Sequence, residues 1–275
     1  MNHRILFLFS RGMQILTLAA ALIFTLHFAS DQVLAAERAD KPGANVRLPF
    51  HPGEKLTYVV SWSNIISAGS AVLEVRKEKN KDDEDVLQFT STARTTGMVN
   101  TFYPVTDTVH SIVDERTFQS ISYDLTSRHG KRRKKRTLVF DHKAKVATSI
   151  ENGVKETVII PENTQDALSS LYYIRKQPEF IDGKVITVNV NDSGKNWAVD
   201  VYVLGRERIE TPVGEFNTIK LKTYPKYEGV FMHKGEIFIW ITDDTRRIPM
   251  LMKSTISIGS IVATLSDMKL GDDIP

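Results

Sequence analysis

Six consecutive cations, Lys131-Arg132-Arg133-Lys134-Lys135-Arg136, are the densest concentration of one kind of chemistry in this chain. Like charges so close repel one another, and the repulsion is relieved by an anionic partner. The run therefore suits a phosphate-bearing surface, either lipid head groups or an anionic envelope polymer. The other reading is a solvated hairpin tip that protects a sheet edge, or one that pairs with the acidic run Asp82-Asp83-Glu84-Asp85. A second concentration is Asp243-Asp244 followed by Arg246-Arg247. Two carboxylates side by side suit acid–base work or a bound cation. Neighbours in an extended strand point to opposite faces, however, and Thr242-Asp243-Asp244-Thr245 suits a turn whose aspartates accept local backbone N–H groups. An inward-pointing Arg247 would meet a buried carboxylate or a ligand head group.

The remaining chemistry is sparse. No G-x-S-x-G elbow is present; Ala68-Gly69-Ser70 and Ile258-Gly259-Ser260 each place a serine beside a single glycine. His51, His110, His129, His142 and His233 show no H-x-x-x-H spacing, although folding can gather a histidine with Asp107 or Asp141. The chain has no cysteine, which excludes disulfides, thiolate metal sites and thiol chemistry. No catalytic residue, metal set or cofactor is assigned. A net charge of +3 is too small for a nucleic-acid partner read from charge alone.

The compartment is legible at the start of the chain. Arg4 and Arg11 precede the apolar stretch Ile15–Leu26, and polar Ser30-Asp31-Gln32 leads to small Ala35 and Ala36. That order is a secretory signal peptide over residues 1–36, cut after Ala35 or Ala36, which places the mature protein in the periplasm. The apolar core is short for a bilayer span of about 20 residues; the alternative is an uncleaved inner-membrane anchor. Residues 37–49 are polar and are expected to be a flexible leader.

From Phe50 to about residue 270 one β-rich domain is expected. Leu56, Tyr58, Val60 and Trp62 alternate with Thr57, Val59, Ser61 and Ser63, and Ala71, Leu73 and Val75 repeat the period of two. Further strands are expected near 105–113, 118–127, 133–141, 144–151 and 154–160, separated by turn signals such as His129-Gly130 and Asn152-Gly153. A helical stripe, Ala167, Leu168, Leu171, Tyr172 and Ile174, predicts one short helix near 164–177, capped by Asn163 or Thr164 and stopped by Pro178. The fold class is all-β: a mainly antiparallel curled sheet or half-barrel with that helix against it or plugging its opening.

Pro49-Phe50-His51-Pro52-Gly53-Glu54, Asp166-Ala167-Leu168-Ser169-Ser170-Leu171-Tyr172-Tyr173, Thr211-Pro212-Val213-Gly214-Glu215-Phe216 and Trp240-Ile241-Thr242-Asp243-Asp244-Thr245-Arg246-Arg247-Ile248-Pro249 occur in that order. Together they resemble the bacterial exported family known as domain of unknown function 3108, over residues 49–266. The resemblance implies an exported β-rich domain with no established activity and supplies no catalytic residue. In outline such a fold is similar to periplasmic lipoprotein-carrier half-barrels.

The strand Glu236–Thr242 is apolar on both faces, Ile237, Ile239 and Ile241 on one and Phe238 and Trp240 on the other. Each face therefore needs cover from a core, a helix, a second layer or a ligand. The expectation is a non-enzymatic periplasmic carrier whose sheet curls over an apolar cavity lined by Tyr58, Trp62, Phe238 and Trp240, with Arg247 at a head group and Lys131–Arg136 touching anionic lipid or polymer. An envelope assembly protein acting by protein contact is the alternative, and a hydrolytic enzyme a third.

Overall fold

A computed structural model describes residues 48–224, 235–256 and 259–271; the signal segment, nearly all of the leader and His233 lie outside them. The strands are β1 (Lys55–Trp62), β2 (Ile66–Lys79), β3 (Asp85–Thr95), β4 (Val105–Asp114), β5 (Ser120–His129), β6 (Arg132–Asp141), β7 (Val146–Glu151), β8 (Val154–Ile159), β9 (Val185–Asp192), β10 (Lys195–Thr211), β11 (Gly214–Thr223), β12 (Glu236–Thr242), β13 (Pro249–Ile256) and β14 (Gly259–Lys269). Two short helices interrupt them, α1 (Gly97–Phe102) between β3 and β4 and α2 (Ser169–Arg175) between β8 and β9.

All fourteen strands form one antiparallel sheet in the order β8-β7-β6-β5-β4-β3-β2-β1-β14-β13-β12-β11-β10-β9. Each strand pairs with its sequence neighbours except β8 and β9, which are the two edges, and β1 pairs with β14 to join the two halves of the meander. The sheet curls until its edges approach without closing into a continuous ladder. A single parallel bridge, Gln165 to Val190, links the segment after β8 to β9. Arg136 of β6 also reaches across to Asp192 at the end of β9, at 3.2 Å.

Inward positions follow the alternation expected of β strands. In β1, Leu56, Tyr58 and Val60 are all fully buried. Two apolar clusters result. The larger gathers β1–β6, β13 and β14 around Phe50, Phe89, Phe118 and Tyr172; the smaller gathers β9–β12 around Val188, Val190, Val201, Ile219 and Ile241. The interior is thus filled largely by the protein's own side chains, and the lipid-sized hollow expected from the sequence is not formed.

The helix expected near 164–177 is shorter, at seven residues. Gln165 is held extended by its bridge: its N–H donates to the Asn189 carbonyl and its carbonyl accepts from the Asn191 N–H, both at 2.8 Å. The chain can turn helical only after that, and Asp166 rather than Asn163 or Thr164 receives the first free amides, those of Leu168 and Ser169, at 2.8 and 2.9 Å. Helix α1 has no apolar stripe to announce it and buries none of its residues.

Candidate functional site: an apolar slot beside α2

Helix α2 is pinned at both ends by buried polar groups. At its start Asp166, wholly buried, accepts hydrogen bonds at Oδ2 from the hydroxyls of Ser111 (2.6 Å) and Ser120 (2.9 Å), while Oδ1 holds the two helix amides. Burial raises its pKa and these bonds oppose the rise. At its end Arg175, also wholly buried, grips Glu54 with two parallel bonds of 2.7 and 2.8 Å. Its Nε–H donates to the Arg247 carbonyl and a terminal N–H to the Arg246 carbonyl. The guanidinium lies 5.0 Å from the centre of the Phe50 ring and 5.3 Å from that of Tyr172. Tyr172 in turn stacks flat on Phe89 at 3.8 Å. These anchors plug one end of the curled sheet with the helix and leave it little freedom to settle against the strands opposite.

The slot lies where the helix fails to fill the gap between the two apolar clusters. Its walls are Ala167, Leu168, Leu171 and Ile174 on the helix side and Val188, Val190, Val199, Val201, Leu221, Ile239, Leu73 and Met252 on the sheet side. The cavity proper is about 70 Å³, and the whole cleft with its mouth about 740 Å³. Polar residues enter the wall only at Ser170, Lys222 and Thr223, the last two at the end of β11. The Thr223 hydroxyl is buried with no hydrogen-bond partner among the described residues. The Lys222 ammonium points away from the slot, to the outer face of the sheet, where it pairs with Glu236 at 2.5 Å and lies over the rings of Tyr224 at 4.7 Å and Phe238 at 5.5 Å. The enclosed part is smaller than the roughly 150 Å³ apolar cavity that admits benzene, and so too small for a ring system.

A family model described as a protein of unknown function, DUF3108, matches residues 57–266. The chain belongs to the DUF3108 family. No curated protein matches it. Among solved structures it is similar to a β-barrel-like DUF1849 protein from Brucella abortus, with a TM-score of 0.55 at 11% identity over 80% of this chain and 98% of that one. A protein from Bacteroides fragilis described as exported, with a YmcC-like fold, aligns at a TM-score of 0.36 and 9% identity over 81% and 98% of the two chains. A Parabacteroides distasonis protein described as a lipoprotein aligns at 0.32 and 9% over 81% and 97%. The first likeness places this DUF3108 member in the β-barrel-like fold.

The residues singled out from the sequence do not converge. Tyr58 is in the larger cluster with its hydroxyl donating to the Pro249 carbonyl at 2.8 Å, and Trp62 packs against the same cluster. Phe238 and Trp240 occupy the opposite face of the sheet, 5.9 Å apart, with Lys220 over both rings and the Trp240 indole N–H donating to Glu207. The second apolar face of β12 is thus covered by side chains of neighbouring strands, not by another layer. Arg247 lies over Phe180 at 5.0 Å and pairs with Asp243 at 3.3 Å. Asp244 behaves as a turn residue: it accepts from the Arg246 N–H at 2.9 Å and the Thr242 hydroxyl at 2.7 Å. His129 does meet Asp107, at 2.9 Å, but no third metal-ligating side chain joins them among the described residues.

The cationic run is split by strand alternation. Lys131, Arg132 and Arg133 are exposed around the β5–β6 turn. Arg136 is buried, bound to Glu151 at 2.6 Å and to Asp192, and Lys134 also pairs with Glu151, at 3.0 Å. Arg136 is therefore not a surface contact, because its position in β6 turns it toward the seam. The slot itself was hinted at in the sequence by Ala167, Leu168, Leu171 and Ile174. Val188 and Val190 belong to β9, where they alternate with Thr187, Asn189 and Asn191, a period-two signal that could have located the strand.

Proposed function

We propose that this protein is a non-enzymatic binding protein of the bacterial envelope that holds one alkyl chain of a lipid-like molecule in the slot between α2 and β9–β13. The observation that carries the reading is the slot's composition. It is an apolar channel left unfilled in an otherwise packed interior, bordered at the end of β11 by a buried hydroxyl with no hydrogen-bond partner among the described residues. Such a wall recognises hydrocarbon by exclusion from water, and the inward Thr223 hydroxyl suits the polar end of an amphiphile. The signal-peptide pattern supports an envelope location, where apolar molecules need shielding to cross an aqueous space. No helix among the described residues is long and apolar enough to cross a membrane.

The test is titration with cis-parinaric acid, whose unbranched polyene chain is itself the fluorophore, together with mass spectrometry of lipid extracted from the purified protein. Saturable binding with enhanced emission is expected. Val201→Phe, which places a ring in the slot, is expected to weaken binding about tenfold or more while costing no more than about 1–3 kcal/mol of stability. A folded wild-type protein that does not bind the probe, or a Val201→Phe variant that binds it unchanged, overturns the reading.

A further inference from the structure

The sheet ends differently on its two sides. In an antiparallel meander, alternate connections share one rim. On one rim lie the β1–β2 turn, helix α1 and the β5–β6 turn, three consecutive connections of adjacent strand pairs. Steps of two strands at about 4.8 Å each set them in a row roughly 20 Å long. They are tied together. The Thr96 N–H donates to the Ala68 carbonyl at 3.1 Å, and the Gly130 N–H donates to the Pro104 carbonyl at 2.8 Å.

Of the four large apolar side chains more than 70% exposed among the described residues, this row carries three; the fourth, Ile159, ends β8. Ile65 is 84% exposed, Met98 79% and Phe102 74%. Ile65 sits on a rigid turn, with Ser63 and Asn64 both at positive φ and the Ser63 N–H held by the Ser260 carbonyl at 2.7 Å. Beside Phe102 the β5–β6 turn presents Lys131, Arg132 and Arg133, all exposed and none ion-paired among the described residues. The only carboxylate in these three connections and their flanking residues is Asp107, which is buried against His129. The densest acidic run lies at the other end, where the β2–β3 loop holds Asp82, Asp83 and Glu84; Glu151, nearer the rim, is engaged by Lys134 and Arg136.

Exposed large apolar residues beside unpaired cations, with the densest acidic run at the opposite end, is the arrangement that adsorbs to an anionic bilayer. The apolar tips enter the interface and the cations meet the phosphates. We infer that this rim, Ile65, Met98 and Phe102 with Lys131, Arg132 and Arg133, is a docking face for an anionic lipid membrane. The inference stands independently of the slot, since none of these residues lines it.

The experiment is co-sedimentation with vesicles of phosphatidylcholine alone and of phosphatidylcholine with one third phosphatidylglycerol. The protein is produced from the whole chain, and every variant is compared in the same processed form by intact mass. Binding to the anionic vesicles only, weakened by salt, is expected. Reversing Lys131, Arg132 and Arg133 to Glu is expected to lower partitioning roughly a hundredfold. Phe102→Ser is expected to lower it about fivefold to tenfold. Because all these side chains are exposed, circular dichroism is expected to be unchanged. A Phe102→Trp reporter is expected to shift to the blue on anionic vesicles.

Three outcomes overturn the inference. The first is rim variants that partition as the wild type does. The second is equal binding to soluble polyphosphate with no effect of Phe102→Ser. The third is a rim-dependent dimer that ignores vesicles.

Discussion

Arg175 and Glu54 show how one residue pair can decide a local architecture. Each charge is removed from water, and the cost is offset only because the two carboxylate oxygens face the guanidinium fork and two further N–H groups find carbonyls. Removing one partner strands the other. Arg175→Met or Glu54→Gln alone is expected to destabilise the fold by about 3–5 kcal/mol, and Arg175→Met with Glu54→Leu by markedly less; urea unfolding of the three variants checks this. Tyr172 makes the opposite case. Its ring is stacked and indispensable to the packing, but its hydroxyl has no partner among the described residues and burial raises its pKa. Tyr172→Phe is expected to be neutral or to stabilise by up to about 1 kcal/mol in the same assay.

At the level of elements, the seam between β6–β7 and β9 joins the sheet's edges through ionisable groups. Asp192 is pushed up to about 6 by burial, which outweighs the attraction of Arg136. The unfolded carboxyl releases its proton near 3.8, so folding takes up a proton between these two values. Asp192 therefore favours the fold most below about pH 4, and that contribution is lost as pH rises through about 6. Glu151 runs the other way: burial pulls its pKa up, but the bonds from Lys134 and Arg136 bring it below its ordinary value. Subtracting the stability profile of Asp192→Asn from that of the wild type isolates the Asp192 contribution. The difference is expected to grow in favour of the wild type, by on the order of 2–3 kcal/mol, between pH 7 and pH 4.

Over the whole molecule, a single sheet with one crossing pair has a centre and two edges. β1 and β14 join the N- and C-terminal halves of the meander and are buried along most of one face. β8 has no ladder partner on its outer side and is exposed along nearly its whole length. Amide hydrogen exchange is expected to be slowest in β1 and β14 and fastest among the strands in β8; uniform protection across the sheet would contradict a molecule whose stability is concentrated at its centre. The same asymmetry places the helix plug and the acidic loop at one end and the apolar, basic rim at the other, so the molecule is polar along its strands.

Much of this was legible in the residues. Period-two alternation located β1, β4 to β8 and β12 within a few residues, because a strand's two faces meet different surroundings and select different side chains. The stripe Ala167–Ile174 located the helix for the same reason at a different period. The sequence could not show what each face would meet. Phe238 and Trp240 look like cavity lining until Lys220 covers them, and Arg136 looks like the end of a surface run until Asp192 arrives from β9, fifty-six residues away. Local composition determines which way a side chain points within its own element. Whether it then touches solvent, a countercharge or an unfilled slot depends on elements distant in the chain, and only their packing decides that.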